Sequence, residues 1–520
     1  MAASPVQTSF FRTTAYVVGV NLFSKVLGIL REAMIAANFG ARESTDAFFA
    51  AWRLPDILFN SLLGVLIANT FIPVFYSAQQ SGGEAASRRF TGAALSAVLL
   101  ILLAVAGVFE CFAPQILSAI APGLGGQSAA MAVRMARLLA PVMLIGGLTG
   151  LFRSLLHANR HFLAPAFLPV VQNSCIIVCI LALAHVYGVV SLAVAILLAA
   201  VAQVLMLLPA LKRHAFIPRP RMDFSDPGLR RMALLMGPVL LTFALGNIVP
   251  FVELRLASAI SAGAISHLSY AFRLFSLPEQ VFVLALSAVL FPFLAKDVSQ
   301  GDTGAMVQKL SAAVRVSLYL MLPVGMFIML HSRELVRLFL GWGAFDDAAV
   351  AGTAVTLAAY ASGLFAVCVR NLLVDACFAL MATGLILRVA AGMVVLNVAL
   401  DYWLAGRLGV AGLSLGFALT AVAHAGLLGV FLRRKLGGLD TPRILAALGR
   451  AVAASLAMGA ALLALRPALP PLSPDHTLLG RLGLLAVSAL AGFAVYAVAS
   501  KLLASAEQRL LLDALRKRLS

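Results

Sequence analysis

Six ionisable side chains fall inside the first two apolar stretches of this 520-residue chain: Lys25, Arg31 and Glu32, then Asp46, Arg53 and Asp56. Glu253, Arg255, Arg273 and Glu279 recur in a later pair of apolar stretches. An ionisable group at membrane depth costs roughly 2.5 to 3.5 kcal/mol on insertion scales, so it faces a bundle interior or a watery cavity. The set is cationic in excess, through Lys25, Arg31, Arg53, Arg255 and Arg273. Arginine offers phosphate oxygens a planar fork of donors, and a low-dielectric cavity strengthens the attraction. The chemistry indicated is recognition of an anion, a phosphate or pyrophosphate, in a cavity that also holds the acids Glu32 and Asp46. A structural reading competes. Lys25 or Arg53 can snorkel to a helix end, and Arg31 with Glu32 or Arg53 with Asp56 can form local pairs.

A second set is oxygen-rich. Asn397 and Asp401 lie four residues apart, on one face of a helix, and with Glu253 they supply hard donors suited to Na⁺ or a proton. The competing reading makes Asn397 a bridge between helices and puts Asp401 at a solvated helix end. No GxxxxGK[ST], HExxH or nucleophile-elbow sequence is present, which argues against ATP hydrolysis and against an enzyme. An ion gradient, the membrane potential or downhill flow must then drive any transport, with Na⁺ or H⁺ as the candidate coupling ion and no other cofactor. No firm metal site emerges. Cys175 and Cys179 share a helix face but read as packing, and His157 and His161 sit in a basic loop where contact with water or lipid headgroups is the expected role.

These residues need a membrane scaffold to position them. The composition is 62% hydrophobic and 12% charged, too little charge to cover a soluble globule. Residues 162–211 contain no Asp, Glu, Lys or Arg, enough for two spans of about 20 residues each. The same reading along the chain gives about fourteen transmembrane helices in an all-α polytopic protein. The apolar run after Arg12 continues through Lys25 and Arg31 without a small-residue cleavage site, and reads as a retained first helix. Loops and helix ends on one side are basic and those on the other are near neutral, which places both termini in the cytoplasm. The formal charge of +18 is therefore a topology signal; no nucleic-acid motif accompanies it.

The expected organisation is an N-lobe over residues 1–211 with helices 1–6, a cytoplasmic connector over 212–231, and a C-lobe over 232–434 with helices 7–12. Residues 435–520 hold helices 13–14 and a basic amphipathic tail expected to lie on the membrane surface. The lobes echo one another: Leu54-Pro55 and Phe71-Ile72-Pro73 in helix 2 correspond to Leu277-Pro278 and Leu290-Phe291-Pro292 in helix 8. Parallel repeats of this kind put a transporter's substrate site at the repeat interface.

The stretches FSKVLGILREAMIAANFG, STDAFFAAWRLPD, LFRSLLHANRHFLAPAFLPVVQN, SYAFRLFSLPEQVFVLALSAVLFPFLA and GVAGLSLGFAL, in that order, resemble the MviN/MurJ family. These are lipid II flippases of the multidrug/oligosaccharidyl-lipid/polysaccharide exporter superfamily. The resemblance implies a two-lobed V-shaped fold, alternating access and a cavity whose arginines hold a lipid-linked pyrophosphate. It also implies a groove for the polyprenyl tail near helices 13 and 14. By position, the family's basic residues fall on Lys25, Arg31 and Arg273, and its acids on Glu32 and Asp46. Lys25 replaces the usual arginine and Glu32 the usual aspartate. Phe59 stands near a position that is basic in the family, and CFALMATGLILRV replaces a polar turn after helix 10. The expected function is movement of undecaprenyl-pyrophosphate-linked peptidoglycan precursor across the bacterial inner membrane, with membrane lipids and cell-wall synthesis enzymes as partners. The alternatives are a flippase for another polyprenyl-linked glycan and a non-transporting cell-wall scaffold.

Overall fold

Glycines and prolines punctuate an otherwise helical chain. The computed structural model describes residues 5–468, 478–510 and Asp513, with backbone alone for 5–15, 60–66, 68, 284, 285, 288, 468 and 478. Among the described residues there is no strand.

Helix α1 (Pro5–Phe39) ends at Gly40, whose φ of +65° only glycine adopts cheaply. Helix α2 (Glu43–Asp56) follows, with Glu43 and Asp46 in its first turn, where carboxylates meet the positive end of the helix dipole. Pro55 removes one backbone donor near the end of α2, and the chain passes directly into a π-helical segment, Ile57–Leu62. Helix α3 (Leu63–Ile120) is two helices joined at a break: Gly82 and Gly83 leave helical geometry, Gly83 at φ +68°. Then come α4 (Gly126–Ala158), the short α5 (Leu163–Ala166), α6 (Leu168–Tyr187), α7 (Val190–His214) and α8 (Pro227–Ile260). The start of α8 is set by Pro227 in its first turn and by Asp226, whose carboxylate accepts from Gly228 N and Leu229 N.

Next come α9 (Ala264–Ser299), α10 (Thr303–Leu330), the short α11 (Ser332–Phe339), and α12 (Asp347–Ala361) with α13 (Leu364–Ala379), a pair bent by 45°. The last helices are α14 (Thr383–Leu408), α15 (Val410–Leu436), α16 (Thr441–Leu465) and α17 (Leu478–Leu502). Ten helices among the described residues are long and apolar enough to cross a membrane, or eleven if the bent pair is one span. Together with α1, the segment from α2 to the Gly82 break, and α9, they follow the expected helices in order. The protein is an all-α polytopic membrane protein with about fourteen transmembrane helices.

The chain forms two compact units: Met1–Ser266 with Trp342–Phe345, and His267–Gly341 with Asp346–Ser520. Helix α8 therefore belongs with the helices before it, and the boundary falls at Ser266/His267 instead of within 212–231. The connector is no free linker. Arg221 N donates to Gly92 O at 3.2 Å, and Arg89 donates to Asp223 Oδ2 through Nε and Nη2 at 2.9 and 2.7 Å. The Arg89 hydrogen bonds hold the Asp223 carboxyl below the usual range. A Cβ on Gly92 would sit 2.6 Å from Arg219 O, so a glycine there is what lets the connector lie against α3.

The first unit packs around Phe71, Phe90, Leu151, Leu155 and Leu207, with Phe71 and Phe90 stacked at 5.3 Å. The second packs around Leu294, Leu310, Leu372, Leu428 and Leu432. Helices α16 and α17 join the second unit through Met458, Leu462 and Tyr496, whose hydroxyl donates to Tyr319 O of α10 at 2.7 Å.

The start of the tail differs from expectation. Glu507 is 1% exposed and ion-paired to Arg315 at 3.3 Å, while Ser505 Oγ donates to its other oxygen at 3.0 Å. A carboxylate between α10 and α16 arginines draws this stretch into the bundle; positions 511–512 and 514–520 of the proposed surface helix lie outside the described residues.

Candidate functional site

In the first unit, the α1 pair Arg31 and Glu32 meets α6. Arg31 Nε donates to Glu32 Oε1 at 3.0 Å, Nη2 bonds the same oxygen, and Nη1 donates to Asn173 Oδ1 at 2.9 Å. Asn173 is fixed in turn, because its Nδ2 donates to Ser24 O at 3.0 Å one α1 turn or two away. The charge of Asp56 on α2 also reaches Arg31. A guanidinium has five donors, so this arrangement fixes its plane and leaves two donors for an incoming acceptor. Lys25, on the same helix, is half-buried and engaged with its surroundings.

Asp46 is used differently. It is 2% exposed and accepts from Gly263 N at 2.7 Å, Ser266 N at 2.7 Å and Ser266 Oγ at 2.5 Å. These are groups at the first turn of α9, where backbone donors have no intrahelical partner. The expected ligand-binding acid is thus a cap on another helix. Close by, Ala344 N donates to Ala37 O at 2.7 Å, and glycine is needed at 343, where a Cβ would approach Ala37 O to 2.3 Å.

Arg53 is half-buried, with an Nε that is buried and has no hydrogen-bond partner; its field reaches Glu253 on α8, which is 9% exposed with Oε1 likewise unpartnered. Arg255 is exposed and donates to Ala119 O at the end of α3, a structural tie beside the Gly123 N to Ser258 Oγ bond. Arg273 belongs to the second unit, half-buried on α9 and engaged with its surroundings. Phe59, the departure from the family pattern, is 8% exposed and fills the space beside Gly146, where a Cβ would come within 2.4 Å of its ring.

The oxygen-rich set divides between the units, with Glu253 in the first and Asn397 and Asp401 in the second. Asn397 is 3% exposed; its Nδ2 donates to Thr420 Oγ1 of α15 at 3.1 Å, and its Oδ1 is buried without a hydrogen-bond partner. Asp401 is fully buried and engaged, one turn along α14, and a Cβ on Gly416 would come 2.5 Å from its Oδ1. Among the described residues, no group of three His, Cys, Asp or Glu is placed to hold a metal ion. His161 and His214 stack nearly parallel at 3.9 Å, and burial together with His214 holds His161 below its usual pKa.

Four polar residues escaped the sequence reading. Asn173 and Thr420 carry no charge, so nothing in an apolar helix marks them except their polarity. Arg370 was visible as a charge in an apolar stretch. With the neighbouring Asn371 it bonds toward Glu279: Arg370 Nη2 donates to Asn371 Oδ1 at 3.0 Å, and Asn371 Nδ2 to Glu279 Oε1 at 3.1 Å.

Comparisons with known proteins agree on one family. The family profile described as "Lipid II flippase MurJ" matches residues 35–473. A lipid II flippase MurJ of Burkholderia cenocepacia is 29% identical over 436 residues, covering 82% of this chain and 84% of that protein. A probable lipid II flippase MurJ of Thermotoga maritima is 27% identical over 417 residues, covering 80% and 84%. Among solved structures, a lipid II flippase MurJ in an inward closed conformation has TM-score 0.77 at 19% identity, over 94% of this chain and 98% of that one. An inward-facing multidrug resistance MATE family transporter has TM-score 0.69 at 15% identity, over 82% and 99%. With the profile spanning most of its length, the chain belongs to the lipid II flippase MurJ family.

Proposed function

We propose that this protein is a lipid II flippase that carries undecaprenyl-pyrophosphate-linked peptidoglycan precursor from the cytoplasmic to the periplasmic face of the bacterial inner membrane, by alternating access. The observation that carries the reading is the guanidinium of Arg31, held by Glu32 and Asn173 with donors to spare at membrane depth. A pyrophosphate supplies the missing acceptors, and Lys25, Arg53 and Arg273 add positive charge along the helices that contribute to the site. Movement requires no bond to be made or broken, consistent with membership of a transporter family in place of an enzyme one. Both termini lie in the cytoplasm by loop charge, and membrane lipids and cell-wall synthesis enzymes are the partners.

The coupling ion is Na⁺ or H⁺. Its support is the buried, unpartnered Asn397 Oδ1 on the same helix face as the fully buried Asp401, oxygen donors of the kind a hard cation selects. Glu253 is the third proposed donor.

The test is reconstitution of the whole protein in proteoliposomes with a fluorescent lipid II analogue, following its transfer between leaflets. Transfer that requires the protein and is lost in Arg31→Ala supports the reading. A protein that transfers a different polyprenyl-linked glycan and leaves lipid II in place refutes the cargo, and one that transfers neither while still assembling cell-wall enzymes refutes transport.

A further inference from the structure

The second unit carries a guanidinium that the charge count along the early helices never included. Arg370 lies on α13 and is mostly buried, yet it makes no direct carboxylate bond. Its Nε and Nη2 donate to Asn371 Oδ1 at 3.3 and 3.0 Å, and Asn371 Nδ2 passes the contact on to Glu279 Oε1 of α9 at 3.1 Å. Among the described residues, its Nη1 has no hydrogen-bond partner. The glutamate sits one amide away, so the arginine is oriented without being neutralised at contact.

The helix face around it decides what it can meet. Asn371, Val374, Asp375 and Phe378 form a partly exposed stripe at helical spacing, flanked by deeply buried Leu372, Leu373, Ala376 and Cys377. A face carrying Arg370, Asn371 and Asp375 opposite Glu279 is far too polar for lipid, so the exposed stripe fronts water. A largely desolvated arginine with free donors on a watery face inside a membrane protein is costly unless an anion completes it.

We propose that Arg370 is an anion-binding residue of the second unit, oriented by Asn371 and Glu279, and that it takes a phosphate oxygen of the lipid-linked substrate. The inference rests on the flippase reading and adds to it a residue on a helix that the cavity described above does not use. Asn371 is a positioning residue: its oxygen faces the guanidinium and its amide nitrogen faces the carboxylate, which keeps the fork from folding onto Glu279. Glu279 opposes the anion while it orients the cation.

That opposition supplies a test which a purely structural network does not pass. Binding of inorganic pyrophosphate and, in parallel, of a short-chain polyprenyl pyrophosphate is measured on the purified full-length protein, alongside melting temperature. The proposal expects Arg370→Gln to weaken both probes about tenfold or more, as for loss of a charged hydrogen bond, and Glu279→Gln to leave affinity unchanged or tighten it. Arg370→Lys keeps the charge, loses the fork and falls between. Weakening confined to the polyprenyl probe assigns the site to the lipid-linked form; weakening of both assigns it to the phosphate chemistry alone, and either supports Arg370. Affinity within twofold of wild type in Arg370→Gln overturns this proposal while leaving the flippase reading intact. So does equal weakening in Arg370→Gln, Arg370→Lys and Glu279→Gln with a matching fall in melting temperature. A wild-type protein that binds neither probe overturns both.

Discussion

The same three side-chain types are wired in two orders. In the first unit, Arg31 bonds its neighbour Glu32 directly and reaches Asn173 on another helix with its remaining terminal nitrogen. In the second, Arg370 bonds its neighbour Asn371, and the asparagine reaches Glu279 on another helix. Direct pairing offsets much of the guanidinium's charge and fixes its plane; pairing through an amide fixes the plane and leaves most of the charge in place. The order of the contacts, more than the composition of the cluster, decides how much attraction is left for an anion. The first unit offers a rigid anchor, and the second a less neutralised cation.

The largest expected effect falls on the anchor. Arg31→Ala leaves Glu32 buried and unpaired and removes the proposed ligand contact, and transport should fall by at least about a hundredfold in the proteoliposome assay, by loss of a site charge worth roughly 3 to 5 kcal/mol when its partner stays buried. Activity near wild type would mean that the pairing is purely local. Next in size is Asp46→Ala, which should lower stability by about 2 to 3 kcal/mol because α9 loses its charged cap, read as a fall in melting temperature. Asp46→Asn, which keeps one acceptor, should recover about half. An unchanged melting temperature would show that the Gly263 and Ser266 donors find other partners.

Which of these residues could be read in advance follows from charge. Arg31, Glu32 and Asp46 stand out because an ionisable group in an apolar helix has few explanations. Their partners do not stand out: Asn173 is one amide in a stretch without charges, and only the packing of α6 on α1 brings it to Arg31. The role of Asp46 was hidden for a related reason, since its carboxylate serves a helix that begins more than two hundred residues later. The boundary at Ser266/His267 was unreadable because a Pro- and Asp-rich stretch looks the same whether it hangs free or is held by Arg89 and Gly92. Glycine did carry information. Gly40 and Gly263 both take positive φ, +65° and +83°, ahead of α2 and α9, the pair of helices whose Leu-Pro echoes pointed to a repeat. The repeat is imperfect at the backbone level, since the π-helical segment after Pro55 has no equivalent after Pro278 in α9.

The two asparagines sharpen the comparison. Asn173→Ala removes a bond to a charged group between helices and should reduce transport about tenfold. Asn371→Ala lets Arg370 collapse onto Glu279, and should cost about twofold to fivefold with little loss of stability. Equal effects would erase the distinction between anchor and relay. The smallest effect lies at the His161–His214 stack of the first unit. His161 titrates below 6.5 in the folded state, so the neutral stack contributes fully above that value and its contribution is lost as pH falls through the lowered pKa. The melting temperature of His214→Ala should therefore fall less between pH 7.5 and pH 5 than that of the wild type; an identical fall would show that the stack is thermodynamically silent.

The central claim is the cargo and the residue that holds it, and both are read in one measurement: depletion of the protein in its own cells, with quantification of lipid-linked precursors on the cytoplasmic leaflet. The account predicts that lipid II accumulates there, that wild-type protein clears it, and that Arg31→Ala at the same membrane level does not. Normal lipid II on depletion, or clearance by Arg31→Ala, would contradict it.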